Sequence, residues 1–326
     1  MAVWDPQLGG NTHFDVVLSN ISVAYPNEGM VGDVLFPTVN VRKQSDKYYL
    51  FGREGWGLDP GTDLRAPGTE ATEIPGLAVS TDTYWAQEHS LQIAITDEER
   101  ENVDSPLAPD RDGTELVTGK VLLAREIAIK TMVTTTSNYA AGYSTTLSGT
   151  TQWSDFVNSN PISDFKVARD TIHAGLFIVP NLAIIPYQVM SKLEDHPDFI
   201  ERIKYVQRGV LNQEIIASLL GIPRIIVPGM GYNTANPGQT ASIGYMWGKD
   251  VVIAYVPPRA APRQLAFGYE FNMGYGGNRP QIVERWREQN RKSDVIRVSR
   301  RYDLKMVTLN ALGKQIAGYV IKAAIA

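Results

Sequence analysis

Residues 52–76 form the feature that most limits how this chain can fold, since nine of these 25 residues are glycine or proline. Glycine and proline interrupt helices and strands, so we expect no packed core within this stretch. The flanking segments, 46–51 and 78–95, are rich in aromatic and β-branched residues, which favours β-strands. The pattern predicts a long excursion that leaves a folded domain and returns to it.

The composition indicates a globular chain, because 43% of the 326 residues are hydrophobic and 20% are charged. The absence of cysteine excludes disulfides, thiolate metal sites and cysteine nucleophiles, and it fits folding in a reducing cytoplasm. The N-terminus has neither the basic nor the apolar region of a secretory signal, so we expect synthesis in the cytoplasm. Pro180 and Pro186 interrupt the longest apolar stretch, 175–190, which predicts no membrane span.

Residues 1–41 mix turn-forming residues with short β-branched patches and show no helical period, which predicts an extended arm. The strongest helix signal follows the excursion. Asp112 is a candidate N-cap with Glu115 three residues later, and apolar residues then recur at helical spacing as far as Met132. Residues 134–151 are rich in Thr, Ser and Gly and are predicted to form a loop or an exposed hairpin.

From Pro161 onward the pattern alternates between short helices and short strands, which predicts an α+β fold. Gly221 is expected to end a helix. The predicted helices are at 162–172, 187–194, 197–205 and 212–220, and the predicted strands are at 182–185, 224–227 and 251–256.

Residues 296–306 alternate between mostly apolar and polar side chains, which predicts a long, half-buried strand with Arg297, Arg301 and Lys305 on its polar face. The segment 279–305 carries nine basic and four acidic residues, although the whole chain has a net charge of −4. Such a two-signed surface suits docking between like subunits. We expect the three cations to meet acidic residues of a neighbouring subunit or phosphates of packaged DNA; a solvated charged face is the equally weighted alternative.

The sequence offers no candidate residue for catalysis, for a cofactor or for a metal. The chain contains neither G-x-S-x-G nor H-E-x-x-H, and its four histidines have no metal-ligand spacing. Residues 244–249 differ from a phosphate-binding loop in glycine spacing and carry bulky aromatic residues. Residues 110–113 lack the remaining ligands of a calcium loop. An enzyme with an unrecognised site remains an alternative that these patterns disfavour.

The succession of these parts resembles the HK97-fold capsid proteins of tailed double-stranded DNA bacteriophages. The resemblance covers nearly the whole chain: an extended arm, a Gly/Pro-rich β excursion, a long helix opening with Asp112-Gly113-Thr114-Glu115, a Ser/Thr loop ending at Trp153, and a compact α and β region. Shorter phrases also resemble the family, namely Pro180-Asn181-Leu182-Ala183-Ile184-Ile185 and Leu219-Leu220-Gly221-Ile222-Pro223.

The resemblance implies an N-terminal arm at 1–41, an E-loop at 42–86, the first part of a peripheral domain with a spine helix at 87–185, an axial domain at 186–293, and a return to the peripheral domain at 294–326. It implies hexamers and pentamers of a virion capsid that contacts its DNA non-specifically, with separate scaffolding, portal and decoration proteins as possible partners. The candidate inter-subunit contacts are Lys47, Arg53, Trp56, Arg65, Arg297, Arg301 and Lys305. An encapsulin-type shell of the same fold is the main alternative.

Overall fold

The computed structural model describes residues 13–14, 29–51, 63–65, 67–71, 73, 79–103, 108–204, 212–235, 239–260, 264–276, 279–310 and 312–326. The helices are α1 (Gly32–Leu35), α2 (Asp97–Glu101), α3 (Pro109–Thr134), α4 (Pro161–Leu176), α5 (Tyr187–Glu194), α6 (Pro197–Ile203) and α7 (Gln213–Leu220). The strands are β1 (His13–Phe14), β2 (Thr38–Asn40), β3 (Ser45–Phe51), β4 (Val79–Trp85), β5 (Gln87–Thr96), β6 (Ser144–Thr146), β7 (Leu182–Ile184), β8 (Arg224–Ile226), β9 (Gly231–Asn233), β10 (Ile243–Tyr245), β11 (Val251–Ala254), β12 (Gly268–Asn272), β13 (Gln281–Glu288), β14 (Ser293–Met306) and β15 (Gly318–Lys322).

Strand β14 is the centre of a six-stranded sheet. One of its edges pairs with β5, and the other pairs first with β13 and then with β12, all antiparallel. The outer strands are β1 beside β13 and β2 beside β12. The predicted strand at 296–306 is confirmed and begins at Ser293.

The alternation along β14 places the long helix α3 on one face of this sheet. Ile296 and Val298 pack with Val117 and Val121 of α3. Arg297 lies between them in sequence and therefore projects from the opposite face, because successive side chains of a strand point in opposite directions. The predicted two-faced character of the strand is confirmed.

A second sheet has five strands in the order β6, β15, β11, β7, β8. Its two faces belong to different apolar clusters. Val251 and Ile253 pack with the helices that follow Pro161, whereas Val252 packs in a cluster with Ile129 of α3. Helix α3 therefore contacts both sheets and connects the two halves of the fold.

Helix ends in the second half follow their capping signals. Asn160 and Asn212 each accept a hydrogen bond from the backbone three residues later, and Gly221 ends α7 in the left-handed region. The predicted start of α3 at Asp112 is wrong, because the helix begins at Pro109. Proline is well suited to the first turn, where its missing N–H has no partner to lose.

The excursion begins and ends in a two-stranded sheet formed by β3 and β4. Tyr48 and Tyr84 hold it against the six-stranded sheet through Phe271, with ring centroids 5.0 and 4.8 Å from that ring. The backbone N–H of Trp85 donates to Oδ2 of Asp303 at 2.9 Å. The excursion is thus anchored at its base.

Two sequence expectations need correction. Part of the predicted arm, Gly32–Leu35, is helical and has buried residues. The predicted domain boundaries also differ from the sheets, because β12 and β13 lie in the sheet of β14, whereas the last strand, β15, lies in the sheet of β7 and β11. Sheet membership depends on pairing between distant segments, which local patterns do not specify.

Candidate inter-subunit surfaces

The predicted contact residues of the excursion are exposed where the structure describes them. Lys47 lies on β3, and Arg65 lies within 63–65. Arg53 and Trp56 lie outside the described residues. Their roles in subunit contacts stay predictions.

The outward face of the β3–β4 hairpin carries two aromatic side chains that sequence reasoning did not single out. Tyr49 is 67% exposed and Trp85 is 60% exposed. Both share a face with Lys47, since the register pairs Tyr49 with Thr81 and Ser45 with Trp85. Aromatic residues are enriched in the buried centres of protein interfaces. The signal was present in the sequence as the alternation of Lys47, Tyr49 and Phe51.

The row of cations on β14 has acidic partners within the chain. Arg297 donates through Nε to Oε2 of Glu284 at 2.7 Å, and Arg301 donates to Oε2 of Glu88 at 3.1 Å. Lys305 lies 3.8 Å from the Asp303 carboxylate. The premise that these cations lack partners within the subunit is therefore wrong, whereas their role in subunit contacts stays a prediction. It failed because neighbouring strands β5 and β13 supply Glu88 and Glu284 in register, which the sequence of β14 alone does not reveal.

A second ionic cluster joins α2, α3 and the sheet. Asp294 accepts from Arg100 at 2.5 Å and from Arg285 at 2.7 Å. Arg100 also donates to Asp110 at 2.6 Å. Burial alone would raise the pKa of Asp294, but the hydrogen bonds from Arg285 and Arg100 outweigh it and lower the pKa to about 2.

Two of the most enclosed charges of the described residues lie on α3, at Arg125 and Glu126. Arg125 is 1% exposed and contacts Asp33 at 2.7 Å and the buried Glu270, whose other oxygen accepts from Arg300 at 2.6 Å. Buried charges persist only when they are paired and hydrogen-bonded, and this set meets that condition.

Glu126 connects three parts of the fold. Its carboxylate accepts from the backbone N–H groups of Val31 and Gly32, both at 2.9 Å, and from the indole of Trp247 at 3.1 Å. Sequence reasoning missed this arrangement. The available signal was that Arg125 lies at helical spacing from Val121 and Ile129, which places a charge on the apolar face of the helix.

Ser159 and His196 are in contact but lack the geometry of a nucleophile and its base. Nδ1 of His196 accepts from the backbone N–H of Asp198 at 3.2 Å, so the proton of the neutral ring lies on Nε2, which donates to Ser159 Oγ at 3.0 Å. Burial lowers the pKa of His196 and favours that neutral ring. The Ser159 hydroxyl donates to the backbone oxygen of Asp155 at 2.6 Å. His196 therefore cannot take a proton from Ser159 in this arrangement.

Across the described ranges, no group of three or more carboxylate and imidazole side chains converges to form a metal site. Within the same ranges, none of the helices combines the length and apolar character required to cross a bilayer.

Comparisons with known proteins bear on the whole arrangement. The phage-related protein of Bordetella bronchiseptica RB50 has a similar structure, with a TM-score of 0.72, 24% identity, and coverage of 96% of this chain and 98% of that protein. The subunit of the bacteriophage PhiM1 mature capsid has a TM-score of 0.51 at 9% identity, with coverage of 99% and 91%. The chain has an HK97-type capsid fold. The two sheets joined by α3, with a hairpin excursion at one side, are this chain's version of that fold.

Sequence comparison relates the chain to phage proteins. The major capsid protein of Pseudomonas phage JBD67 is 28% identical over 243 residues, which cover 74% of this chain and 76% of the phage protein. The major capsid protein of Burkholderia phage BcepMu is 25% identical over 264 residues, with coverage of 80% and 82%. No protein-family model matches the sequence. The HK97-type capsid fold and these homologues agree with the resemblance drawn from the sequence.

Proposed function

We propose that this chain is the major capsid protein of a tailed double-stranded DNA bacteriophage, a structural subunit rather than an enzyme. The observation that carries the proposal is the excursion from β3 to β4. Its base is anchored on the sheet, and every described residue between 63 and 73 is exposed. A segment of this kind gains buried surface when it lies across a second subunit.

We propose roles for the parts of the chain by analogy with other HK97-type folds. The excursion at 42–86 acts as the E-loop, the six-stranded sheet with α3 forms the peripheral domain, and the five-stranded sheet with α4 to α7 forms the axial domain. Subunits then form hexamers and pentamers of an icosahedral shell, made in the host cytoplasm and filled with DNA that the shell contacts non-specifically. Scaffolding, portal and decoration proteins are further partners of such a shell.

Sedimentation velocity and electron microscopy of the purified chain test this function. We expect rings and closed shells, formed by the chain alone or with a scaffolding protein. A single species near 36 kDa under all assembly conditions, including with scaffold present, would contradict the proposal. Shells isolated from cells that contain an enzyme cargo and no phage DNA would favour the encapsulin-type alternative.

A further inference from the structure

A rigid turn at 155–159 presents two apolar side chains to solvent. Val157 is 88% exposed and Phe156 is 38% exposed. The Asp155 carboxylate accepts from the backbone N–H groups of Val157 at 3.0 Å and Asn158 at 3.1 Å, and from the Asn158 amide at 3.1 Å. These bonds fix the backbone beneath the exposed pair. We call Phe156 and Val157 the apolar knob.

Buried groups support the knob from below. Ser159 bonds to the backbone oxygen of Asp155 and to His196, and the ring of Phe156 meets His196 edge-on at a centroid distance of 5.6 Å. An apolar group held in one conformation loses little entropy when a partner covers it. The contact between Ser159 and His196 thus has a use as a support for the knob.

The knob lies at one edge of the five-stranded sheet. Beyond β6, the chain continues beside the end of β15, where Leu147 donates to the backbone oxygen of Lys322 at 3.0 Å and Trp153 donates to that of Ala324 at 2.7 Å. Strand β6 is the outermost strand on this side. The knob is therefore attached to the β6 edge.

A cleft of about 780 Å³ lies beside β8, the outermost strand at the opposite edge of the same sheet. Helix α7 and the turn that follows it form its walls. Ala217, Ile222 and Pro223 supply apolar lining, and Ser218, Glu214 and Arg224 supply polar lining. The Gln213 side chain donates to the backbone oxygen of Ile225 at 2.6 Å. One backbone acceptor of the edge strand β8 therefore already has a hydrogen-bond partner within the chain.

We propose that the apolar knob of one subunit occupies the α7–β8 cleft of the next subunit. The two surfaces differ and lie on opposite edges of one sheet, so the contact is head-to-tail, and repetition of a head-to-tail contact closes a ring when the rotation permits. Among the described residues, neither Asp155 nor Asp198 beside the knob has a lysine or arginine partner within 4.0 Å, and the exposed Arg224 of the cleft supplies one.

This inference rests on the proposed function, because only an assembling chain places many copies edge to edge. The contact is one part of an interface. Stable interfaces bury roughly 800 Å² on each partner. An apolar side chain seated in a pocket near the centre of such an area contributes a large share of the binding.

Disulfide trapping tests the contact, and the absence of native cysteine makes it specific. Val157→Cys and Ser218→Cys are prepared as single variants, mixed in equal amounts, assembled and oxidised. A disulfide forms only when the Cα atoms of the two cysteines come within about 7 Å of each other. We therefore expect a disulfide-linked dimer from the mixture. A double variant that carries both Val157→Cys and Ser218→Cys should give a ladder of higher oligomers. Val157→Cys mixed with Ala128→Cys, an exposed position on α3, is the matched control.

Assembly itself gives a second measurement. Val157→Asp should raise the subunit concentration required for assembly about tenfold, as loss of one seated apolar side chain predicts. Val179→Asp, at another exposed valine, should leave it unchanged. Normal shells without cross-links above the control would overturn the inference and leave the proposed function standing. Failure of the wild-type chain to form rings or shells would overturn both.

Discussion

Nε of Arg125 donates to Oε2 of Glu270 at 2.6 Å, although 145 residues separate the two in sequence. Both side chains are buried, and Glu270 also accepts a hydrogen bond from Arg300. One carboxylate thus pairs with two enclosed guanidinium groups. The pairing joins α3 to β12 and β14 from within the protein.

Replacing Glu270 with glutamine should therefore lower the free energy of unfolding by about 3–5 kcal/mol, because it leaves buried cations without their carboxylate. Chemical denaturation of the unassembled subunit measures this. Glu115→Gln removes the half-buried partner of the exposed Arg111 and is the control, with an expected loss below about 0.5 kcal/mol. Equal losses for the two variants would contradict the role assigned to Glu270.

The lowered pKa of Asp294 makes the stability of the folded chain depend on pH. Its pKa of about 2 in the folded chain lies below the ordinary value of 3.8, so its contribution is present above pH 4 and is lost as the pH falls from about 4 to about 2. Asp294→Asn should remove about 2 kcal/mol at neutral pH and flatten the stability curve in that window. Denaturation at a series of pH values tests this, with the exposed Asp170→Asn as control. An unchanged curve for Asp294→Asn would disprove the assignment.

Neighbouring side chains leave no room for a side chain at Gly32, the first residue of α1. An added Cβ would lie 2.5 Å from Ile129 Cδ1 and 2.6 Å from Glu126 Oε2. Gly32→Ala should cost about 1–3 kcal/mol, although alanine normally favours a helix. Gly244→Ala, where an added Cβ meets no atom within 4 Å, is the matched control. Thermal unfolding of both variants makes the comparison, and a stabilised Gly32→Ala protein would contradict it.

Charge reversal at Arg297 should destabilise the subunit itself. Arg297→Glu places a second carboxylate beside Glu284, and we expect a loss of roughly 2 kcal/mol. The double variant Glu284→Arg with Arg297→Glu should recover part of that loss, because the pair is restored in reverse. A double-mutant cycle measured by urea denaturation tests the coupling. A single variant as stable as the wild type would show that the pair contributes little.

Removal of residues 52–76 should separate folding from assembly. With a short Gly/Ser linker in their place, the β3–β4 hairpin keeps Tyr48 and Tyr84 on Phe271, so circular dichroism should remain that of a folded chain. Stable shells should not form, since the E-loop no longer reaches a neighbour. Electron microscopy reads out assembly. Normal shells, or outright unfolding, would each count against the intermolecular role of this segment.

Local signals in the sequence predicted the helices of the second half well. Pro161, Asn212 and Gly221 start or end helices for reasons contained within a few residues. Helix α1 escaped prediction because it has four residues and its first N–H groups bond to Glu126, more than 90 residues away. Short elements that depend on distant partners carry no local signature.

On the candidate inter-subunit surfaces, too, local patterns predicted some features, whereas features that depend on distant residues were missed. The alternation along β14 predicted which face carries Arg297 and Arg301, but not that strand neighbours would pair them with Glu284 and Glu88. The apolar knob had no signal at all, since its exposure follows from a turn that Asp155 organises. The alternation of apolar and polar residues predicts which side chains share a face of a strand. The register with neighbouring strands determines which residues those side chains contact.

Strands β14 and β15 have a consequence for how the chain comes to its native state. Each completes a sheet begun much earlier, as β14 pairs with β5 and β15 pairs with β6. The hydrogen bond from the backbone N–H of Trp85 to the Asp303 carboxylate spans 218 residues. Neither sheet can close until the last strands have left the ribosome, and contacts this distant in sequence form slowly. Newly made chains therefore pass through a period with open strand edges and uncovered apolar faces, when aggregation competes with completion of the fold.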